Sequence, residues 1–343
     1  MNDLTFIFLM AITGLLLTLL VTPIIQRYMK QIGKVGIDVH KSDRPVIAEA
    51  GGIGFMFVLL IITIIGAFYA PSKTSQYQLL ISAFVLLGVI ILGLYDDFKQ
   101  LSALKKPIML TLIAFPVFFL REIDGYQLAN PHPVLPFIGP TRLDIVYWFL
   151  AVFVISIPSN ASNMLDVMNG VMTGSGILIG ITAFLSTFII PLSQEARYTG
   201  RFLSLTLTGV LVGFYYFNRY PAKIFAGDTG SLGVGATVGL IAIYGEMEFV
   251  MVIALLVHIM NSFSILGSVK GLKERSQMAR PVIVNEGIVS PSIDSSAPIT
   301  LVRLIVARNP LGEKEIIRMI LGLVAYTCVL AILSAFLIRD VLI

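Results

Sequence analysis

Residues 86–100 read LLGVIILGLYDDFKQ, and this stretch decides the fold. About twenty residues without a charge end abruptly on two adjacent carboxylates, Asp96 and Asp97, with Lys99, Lys105 and Lys106 close behind. An acid costs about 2.5–3.5 kcal/mol at the centre of a membrane helix, so acids kept beside an apolar run are candidates for function. Two side by side raise the cost again, because neighbouring like charges resist simultaneous ionisation. A solvated helix end is the plain alternative, but the three lysines favour a site that handles phosphate or metal.

Outward from this run the chain is apolar almost throughout. It has 343 residues, 57% hydrophobic and 13% charged, with a mean hydropathy of +0.90. Soluble chains carry about 25% charge, so the composition indicates a polytopic membrane protein. Segments of about twenty apolar residues predict ten transmembrane helices in an all-α fold. They lie near Leu4–Ile25, Gly52–Tyr69, Leu79–Leu94, Pro107–Leu120, Ile145–Pro158, Val171–Ile190, Phe202–Phe217, Gly230–Tyr244, Phe249–Val269 and Ile317–Leu337. The first lacks a basic leader and a small-residue cleavage motif, so it reads as a span rather than a signal peptide. The expectation is one integral-membrane catalytic domain over 1–343, with a long loop at about 270–315. The single cysteine, Cys328, excludes an internal disulfide, and three scattered histidines argue against a histidine-ligated metal. A net charge of +4 gives nucleic-acid binding no support.

Loop charges set orientation, with Lys and Arg concentrated on the inner side. With the N-terminus outside, eighteen of the 24 basic residues fall on inner loops, and both termini face out. The unusual polar clusters share that inner, cytoplasmic face, which is where the active site is expected. The largest outer loop, Asp124–Asp144, has the turn residues of a small hairpin.

Four inner clusters carry the chemistry beside the acid pair. NASNMLDVMNG (160–170) interrupts an apolar helix, and helical spacing puts Asn160, Asn163 and Asp166 on one face. Amide and carboxylate oxygens suit a hard cation such as Mg²⁺; amide bonding between helices is the alternative. NRYPAKIFAGDTGSLGVG (218–235) has Pro221 to end one helix, while Asp228 to Ser231 open the next. Free amides at such a helix start favour anions, and an Asp there could carry a metal that bridges to one. In the long loop, Lys273, Arg275 and Arg280 suit phosphate, although an ordinary basic inner loop would look similar. The first inner loop adds Lys41, Arg44 and Glu49 ahead of a Gly-rich helix start.

In this order, LGLYDDFKQ, NASNMLDVMNG and YPAKIFAGDTGS resemble the motifs of the polyprenyl-phosphate N-acetylhexosamine-1-phosphate transferase family, over nearly the whole chain. The last inner loop has no histidine and reads KERSQMARP. In this it is similar to the archaeal and eukaryotic UDP-GlcNAc–dolichyl-phosphate branch rather than to the bacterial one, whose loop is histidine-rich. KSDRPVIAEAGGIG also resembles that branch.

The resemblance implies transfer of GlcNAc-1-phosphate from a UDP-sugar to a polyprenyl phosphate, with release of UMP. It also implies Asn163 and Asp228 as holders of Mg²⁺, with Mn²⁺ as the alternative ion. Lys106 would contact phosphates, and Asp96 and Asp97 would position or deprotonate the lipid phosphate or tune Lys106. Asn160, Asp166 and Asn169 would lie near the nucleotide, with Lys41 and Glu49 as further substrate contacts. Arg280, or Arg275 in a shifted register, would grip the sugar-side phosphate. Gln100 stands where the eukaryotic branch has Asn. The partners are the UDP-sugar and the membrane lipid, and a homodimer is compatible with the pattern. The competing readings are a bacterial-type transferase and a transporter using Asp96, Asp97 and Asp228 as coupling acids.

Overall fold

Gly93 near the end of one long helix and Thr229 at the start of another touch backbone to backbone, and the bundle is arranged around such approaches. The computed structural model describes residues 2–119, 122–271, 273 and 278–343. It is predominantly helical, at 67%. In chain order the helices are α1 Asp3–Gln31, α2 Gly52–Phe68, α3 Lys73–Lys99, α4 Lys105–Phe119, α5 Asp144–Leu165 and α6 Val171–Ser186. They continue with α7 Gln194–Asn218, α8 Gly227–Tyr244, α9 Glu248–Ala254, α10 Leu256–Ser268, α11 Leu301–Val306 and α12 Glu313–Leu342.

A helix lies at each of the ten expected apolar segments, with one change of form. The ninth is two helices, α9 and α10, bent by 65° about Leu255. By length and apolar composition, Asp3–Gln31, Lys73–Lys99, Val146–Leu165 and Glu313–Leu342 are each able to cross a membrane, and the bent pair makes a fifth. The other described helices are shorter or more polar. Large apolar side chains such as Leu20, Phe68, Phe84, Leu112, Phe263 and Tyr326 stand exposed on the outside of the bundle. In water such a surface would associate; in a bilayer it faces lipid.

α8 is the axis. Every residue from Thr229 to Tyr244 is buried, and its glycines let neighbouring backbones come close, as small residues do in membrane helix packing. A Cβ on Gly235 would lie 2.2 Å from the Pro158 carbonyl oxygen of α5, and one on Gly239 2.3 Å from that of Val154. α1 meets α7 in the same way, with Gly209 against the Ala11 carbonyl.

The loops hold small β elements, so the fold is not purely helical. β1 (Val35–Ile37) pairs antiparallel with β2 (Val46–Ala48), and Ala48 bridges in parallel to Ile224 just ahead of α8. The Asp124–Asp144 region contains part of two two-stranded hairpins, β3 (Glu122–Ile123) with β4 (Tyr126–Gln127) and β5 (Val134–Leu135) with β6 (Gly139–Pro140). The long loop is structured too: β7 (Val282–Asn285), β8 (Ile288–Pro291) and β9 (Leu311–Gly312) form a three-stranded sheet, with α11 between β8 and β9. β-branched residues dominate β7 and β8, which fits strand geometry and was masked by the charged stretch ahead of them.

One end of the bundle gathers the end of α3, the start of α4, the end of α5, the starts of α6, α8 and α12, and the end of α7, and hydrogen bonds described below join them. The glycine contacts predict opposite signs for one substitution at two places. Gly93→Ala should lower the thermal midpoint in detergent, since its Cβ would sit 2.4 Å from the Thr229 Cα and overpacking costs about 1–3 kcal/mol. Gly322→Ala, with nothing within 4 Å, should leave it unchanged or raise it through helix propensity, by up to about 1 kcal/mol. Equal effects in a thermal-shift assay would refute the close α3–α8 approach.

Candidate active site

Adjacent residues on a helix point about 100° apart, so Asp96 and Asp97 leave the last turn of α3 in different directions. Asp96 is buried and accepts the Leu101 N–H at 2.5 Å. It also ion-pairs with the Lys106 ammonium, which reaches Asp228 Oδ2 at 3.2 Å. The short link 100–104 makes this possible: Gln100 ends α3 with a positive φ of 42° and α4 opens at Lys105.

Asp97 turns to α8. Its carboxylate accepts the backbone N–H of Asp228 at 2.7 Å and of Thr229 at 3.1 Å, and the Thr229 hydroxyl at 2.6 Å. Ala226, at the N-cap position of α8, has no side chain to offer. Asp97 thus caps a helix other than its own, where carboxylates are favoured by the orphan amides and the helix dipole. Gly227 makes room with a φ of +72°; a Cβ there would lie 2.5 Å from Asp97 Oδ1. The sequence suggested that these amides were free for a substrate anion. Those of Asp228 and Thr229 are taken by Asp97.

With α8 fixed, Asp228 and Ser231 face α5. The Asn163 amide donates to the Asp228 carboxylate and, at 2.8 Å, to Ser231 Oγ. Asn160, one turn back, instead donates to the Ser156 carbonyl of its own helix at 2.9 Å. The expected common face ends here, because α5 stops at Leu165 and Asp166 is its C-cap. Asp166 still belongs to the cluster electrostatically. Burial, then the charges of Asp228 and Asp97, push its carboxyl up to about 7.

A second network joins four segments on the same end. Lys41 ion-pairs with Asp38 and, at 3.1 Å, with Glu313 at the start of α12, and it lies 4.8 Å from the centre of the Tyr220 ring. The Asn169 side chain donates to Asp38 at 2.9 Å, and its backbone N–H to Glu313 at 3.4 Å. Burial opposes ionisation of Asp38, but the hydrogen bonds from Lys41 and Asn169 outweigh it and hold this carboxyl below its usual range. Asp38 and Glu313 were not foreseen. Their signal was faint: Asp38 lies in a mixed loop, and Glu313 was assigned to a loop because α12 was expected to begin at Ile317.

The other expected residues are less engaged. Glu49 pairs with Lys34 at 3.0 Å beside the β1–β2 hairpin. Gln100 is exposed, and its side chain makes no hydrogen bond among those of the described residues. Arg280 is exposed and has no ion pair among the described residues. Arg275 lies outside the described residues.

Bilayer-length apolar helices that end on a shared cluster of acids, a lysine and an amide define an integral-membrane enzyme, and the comparisons specify its chemistry. The model of glycosyl transferase family 4 matches residues 78–246, which hold Asp96, Asp97, Lys106, Asn163 and Asp228. The phospho-N-acetylmuramoyl-pentapeptide-transferase of Acetivibrio thermocellus is 30% identical over 228 residues, covering 64% of this chain and 67% of that one. That of Oceanobacillus iheyensis is 29% identical over 296 residues, 79% and 85% of the two chains. A putative UDP-N-acetylglucosamine–dolichyl-phosphate N-acetylglucosaminephosphotransferase of Saccharolobus solfataricus is 27% identical over 317 residues, 90% of each. The chain belongs to glycosyl transferase family 4, the polyprenyl-phosphate N-acetylhexosamine-1-phosphate transferases that its motifs resemble.

The pKa of Asp166 gives a stability test. A carboxyl that titrates near 7 when folded and near 3.9 when unfolded destabilises the fold as pH rises between those values. In buffer with EDTA, Asp166→Asn should raise the thermal midpoint above about pH 7 and lose that advantage by about pH 4. The side chain keeps some exposure, so screening limits the size of the gain. A pH-independent difference between variant and wild type would refute the perturbed carboxyl.

Proposed function

We propose that this enzyme transfers GlcNAc-1-phosphate from UDP-GlcNAc to a polyprenyl phosphate of the dolichyl type, releasing UMP and starting a lipid-linked glycan. The observation that carries the reading is the convergence of Lys106, Asp96, Asn163 and Asp228 from four helices on one end of a membrane bundle. The branch is supported by the name of the Saccharolobus solfataricus relative over 90% of both chains, and by a 270–315 loop without histidine. A second reading is a bacterial-type transferase using another UDP-N-acetylhexosamine and undecaprenyl phosphate, favoured by the names of the relatives at 29–30% identity. In either case the proposed setting is ten spans with both termini outside and the site facing the cytoplasm, where the basic loops fall.

The donor set fits a hard divalent cation. Asp228, Asn163 and Ser231 bring carboxylate, amide and hydroxyl groups together, and the neighbouring acids Asp96, Asp97 and Asp166 leave Lys106 outnumbered. Asp228 and Asn163 would hold Mg²⁺, or Mn²⁺ in its place, and the ion would screen the diphosphate and the charge that builds on the departing UMP. The amide of Asn163 would turn over to present its oxygen.

The rest falls to the chain itself. A phosphate oxygen of the lipid attacks the β-phosphorus of the UDP-sugar, a new P–O bond forms, and the bond to the UMP oxygen breaks. The second pKa of a phosphate is near 6, so the nucleophile is already ionised and Asp96 is free to hold Lys106. Lys106 offers its ammonium to the phosphates, as cationic groups do in other phosphoryl transfers. Asp97 acts one step removed, by fixing the α8 end that carries Asp228. Asp166 and Asn169 sit on the segment proposed to meet the nucleotide. Lys41 and Glu49 are proposed substrate contacts on the first inner loop, with Gln100 and Arg280 or Arg275 at the rim.

The experiment is UMP release by purified, monodisperse protein with Mg²⁺ and a panel of UDP-sugars, against dolichyl and undecaprenyl phosphate. Formation of labelled lipid from UDP-GlcNAc is expected. Product only from UDP-N-acetylmuramoyl-pentapeptide would select the second reading, and no product from any UDP-N-acetylhexosamine would sink both. Asp228→Ala should lose at least about three orders of magnitude in kcat, the scale of a lost electrostatic group; near-normal turnover would refute its role.

A further inference from the structure

At the opposite end of the bundle, three arginines line one cleft. α6 runs from Val171, beside Asn169, to Ser186, and α7 returns from Gln194 to Asn218. The turn between them is therefore a helix length from the candidate active site. At 1.5 Å per residue, the 25 residues of α7 span about 37 Å, the thickness of a bilayer with part of its headgroups. The cleft there has a volume of about 280 Å³ and is lined by Arg197, Arg201, Arg339, Thr187, Phe188 and Ile343, with other residues of the turn. The loop charges assign only six of the 24 basic residues to this end, and three of them, carried by α7 and α12, line this one cleft.

Arg201 is built in, and Arg197, although exposed, is tethered. Arg201 donates through Nε to Thr187 Oγ1 at 2.9 Å and through a terminal nitrogen to the Thr187 carbonyl at 3.3 Å. Its guanidinium carbon lies 4.0 Å from the centre of the Phe188 ring. Arg197 donates to the Leu192 carbonyl at 3.1 Å. Among the described residues neither has a carboxylate within 4.0 Å, while Arg339 pairs with Asp340 at 2.8 Å. Two guanidinium groups, one fixed and one tethered, thus share a cleft with no ion pair to either among the described residues, each with donors to spare. Guanidinium forks match phosphate oxygens in geometry, and the exposed Phe188 ring beside them is suited to an acyl chain.

The geometry points to a binding site for the phosphate of an anionic phospholipid headgroup, held by Arg197 and Arg201 at the membrane face opposite the active site. Arg339 flanks the cleft and Thr187 orients Arg201. The ligand supplies the missing counter-ion, and its acyl chains follow the apolar outside of the bundle. This site is independent of the sugar and lipid that the enzyme acts on.

The test is native mass spectrometry of protein released from nanodiscs that contain equal phosphatidylcholine and phosphatidylglycerol. Wild type should retain phosphatidylglycerol about tenfold over phosphatidylcholine, the scale of one charge-assisted contact. The Arg197→Gln/Arg201→Gln variant should retain both alike, whereas Arg197→Lys/Arg201→Lys, which keeps both charges, should keep the preference but retain less of each lipid, because lysine cannot reproduce the fork. Monodispersity and an unchanged lipid-free thermal midpoint show that each variant is folded. If the double glutamine variant fails that check, the single Arg197→Gln serves, since Arg201 alone meets Thr187 and Phe188. Equal retention of the two lipids by wild type, or an unchanged preference in the glutamine variant, overturns the proposal. Stabilisation by millimolar inorganic phosphate without preferential phosphatidylglycerol retention overturns the lipid in favour of a soluble anion.

Discussion

The contact between Asp97 and the first turn of α8 sets the geometry of everything around it. α8 is buried from Thr229 onward, so water is not at hand for the Thr229 amide, and an unsatisfied buried donor costs about 1–3 kcal/mol. No residue of its own turn caps it. A carboxylate from α3 does so, and can reach because Gly93 lets the two backbones touch at Thr229 and Gly227 adopts a positive φ. Once α8 is held, Asp228 and Ser231 meet Asn163, and Lys106 meets both Asp96 and Asp228. One acid of the pair builds the floor of the site; the other anchors its lysine.

The same construction occurs twice. Lys106 bridges carboxylates from α3 and α8, and Lys41 bridges one from the first loop and one from α12. Ion pairs this buried gain little net stability against desolvation. What they fix is relative position: each lysine ties together segments that are far apart in sequence, and removing one partner would strand the rest. The second bridge also fixes Asn169, and with it the segment that carries Asp166. The two halves of the site are thereby braced from opposite sides.

Much of this was legible in the sequence. The apolar runs gave the helices, and Asp96, Lys106, Asn163 and Asp228 stood out because polar groups at the ends of such runs are costly without a purpose. Resemblance to the family then matched them to one site. Periodicity could not say that α5 ends at Leu165 with Asp166 as its C-cap, nor that the Asn160 amide donates to Ser156. Nor could it show that the α8 amides are already occupied, since Asp97 and Asp228 are more than a hundred residues apart. Asp38 and Glu313 matter through Lys41, which meets Glu313 across 272 residues, and no local pattern encodes such a pair. The 65° bend at Leu255 was hidden for a related reason: no proline or glycine marks it.

Charge balance explains how such a site can serve anions. Asp96, Asp97 and Asp166 each interact with Asp228, and the Lys106 ammonium pairs with Asp96 and Asp228. Alone, this cluster is a poor host for a nucleoside diphosphate or a lipid phosphate, because every approach brings like charges together at low dielectric. Two responses are open to it. Asp166 can keep its proton near neutral pH, as its raised pKa indicates, or a cation can arrive with the substrate. The first removes one charge and leaves the surplus on Asp228; the second neutralises the acid and the phosphate together. Under the proposed function, the acid-rich floor is half of an assembly that is completed when the anion brings its counter-ion.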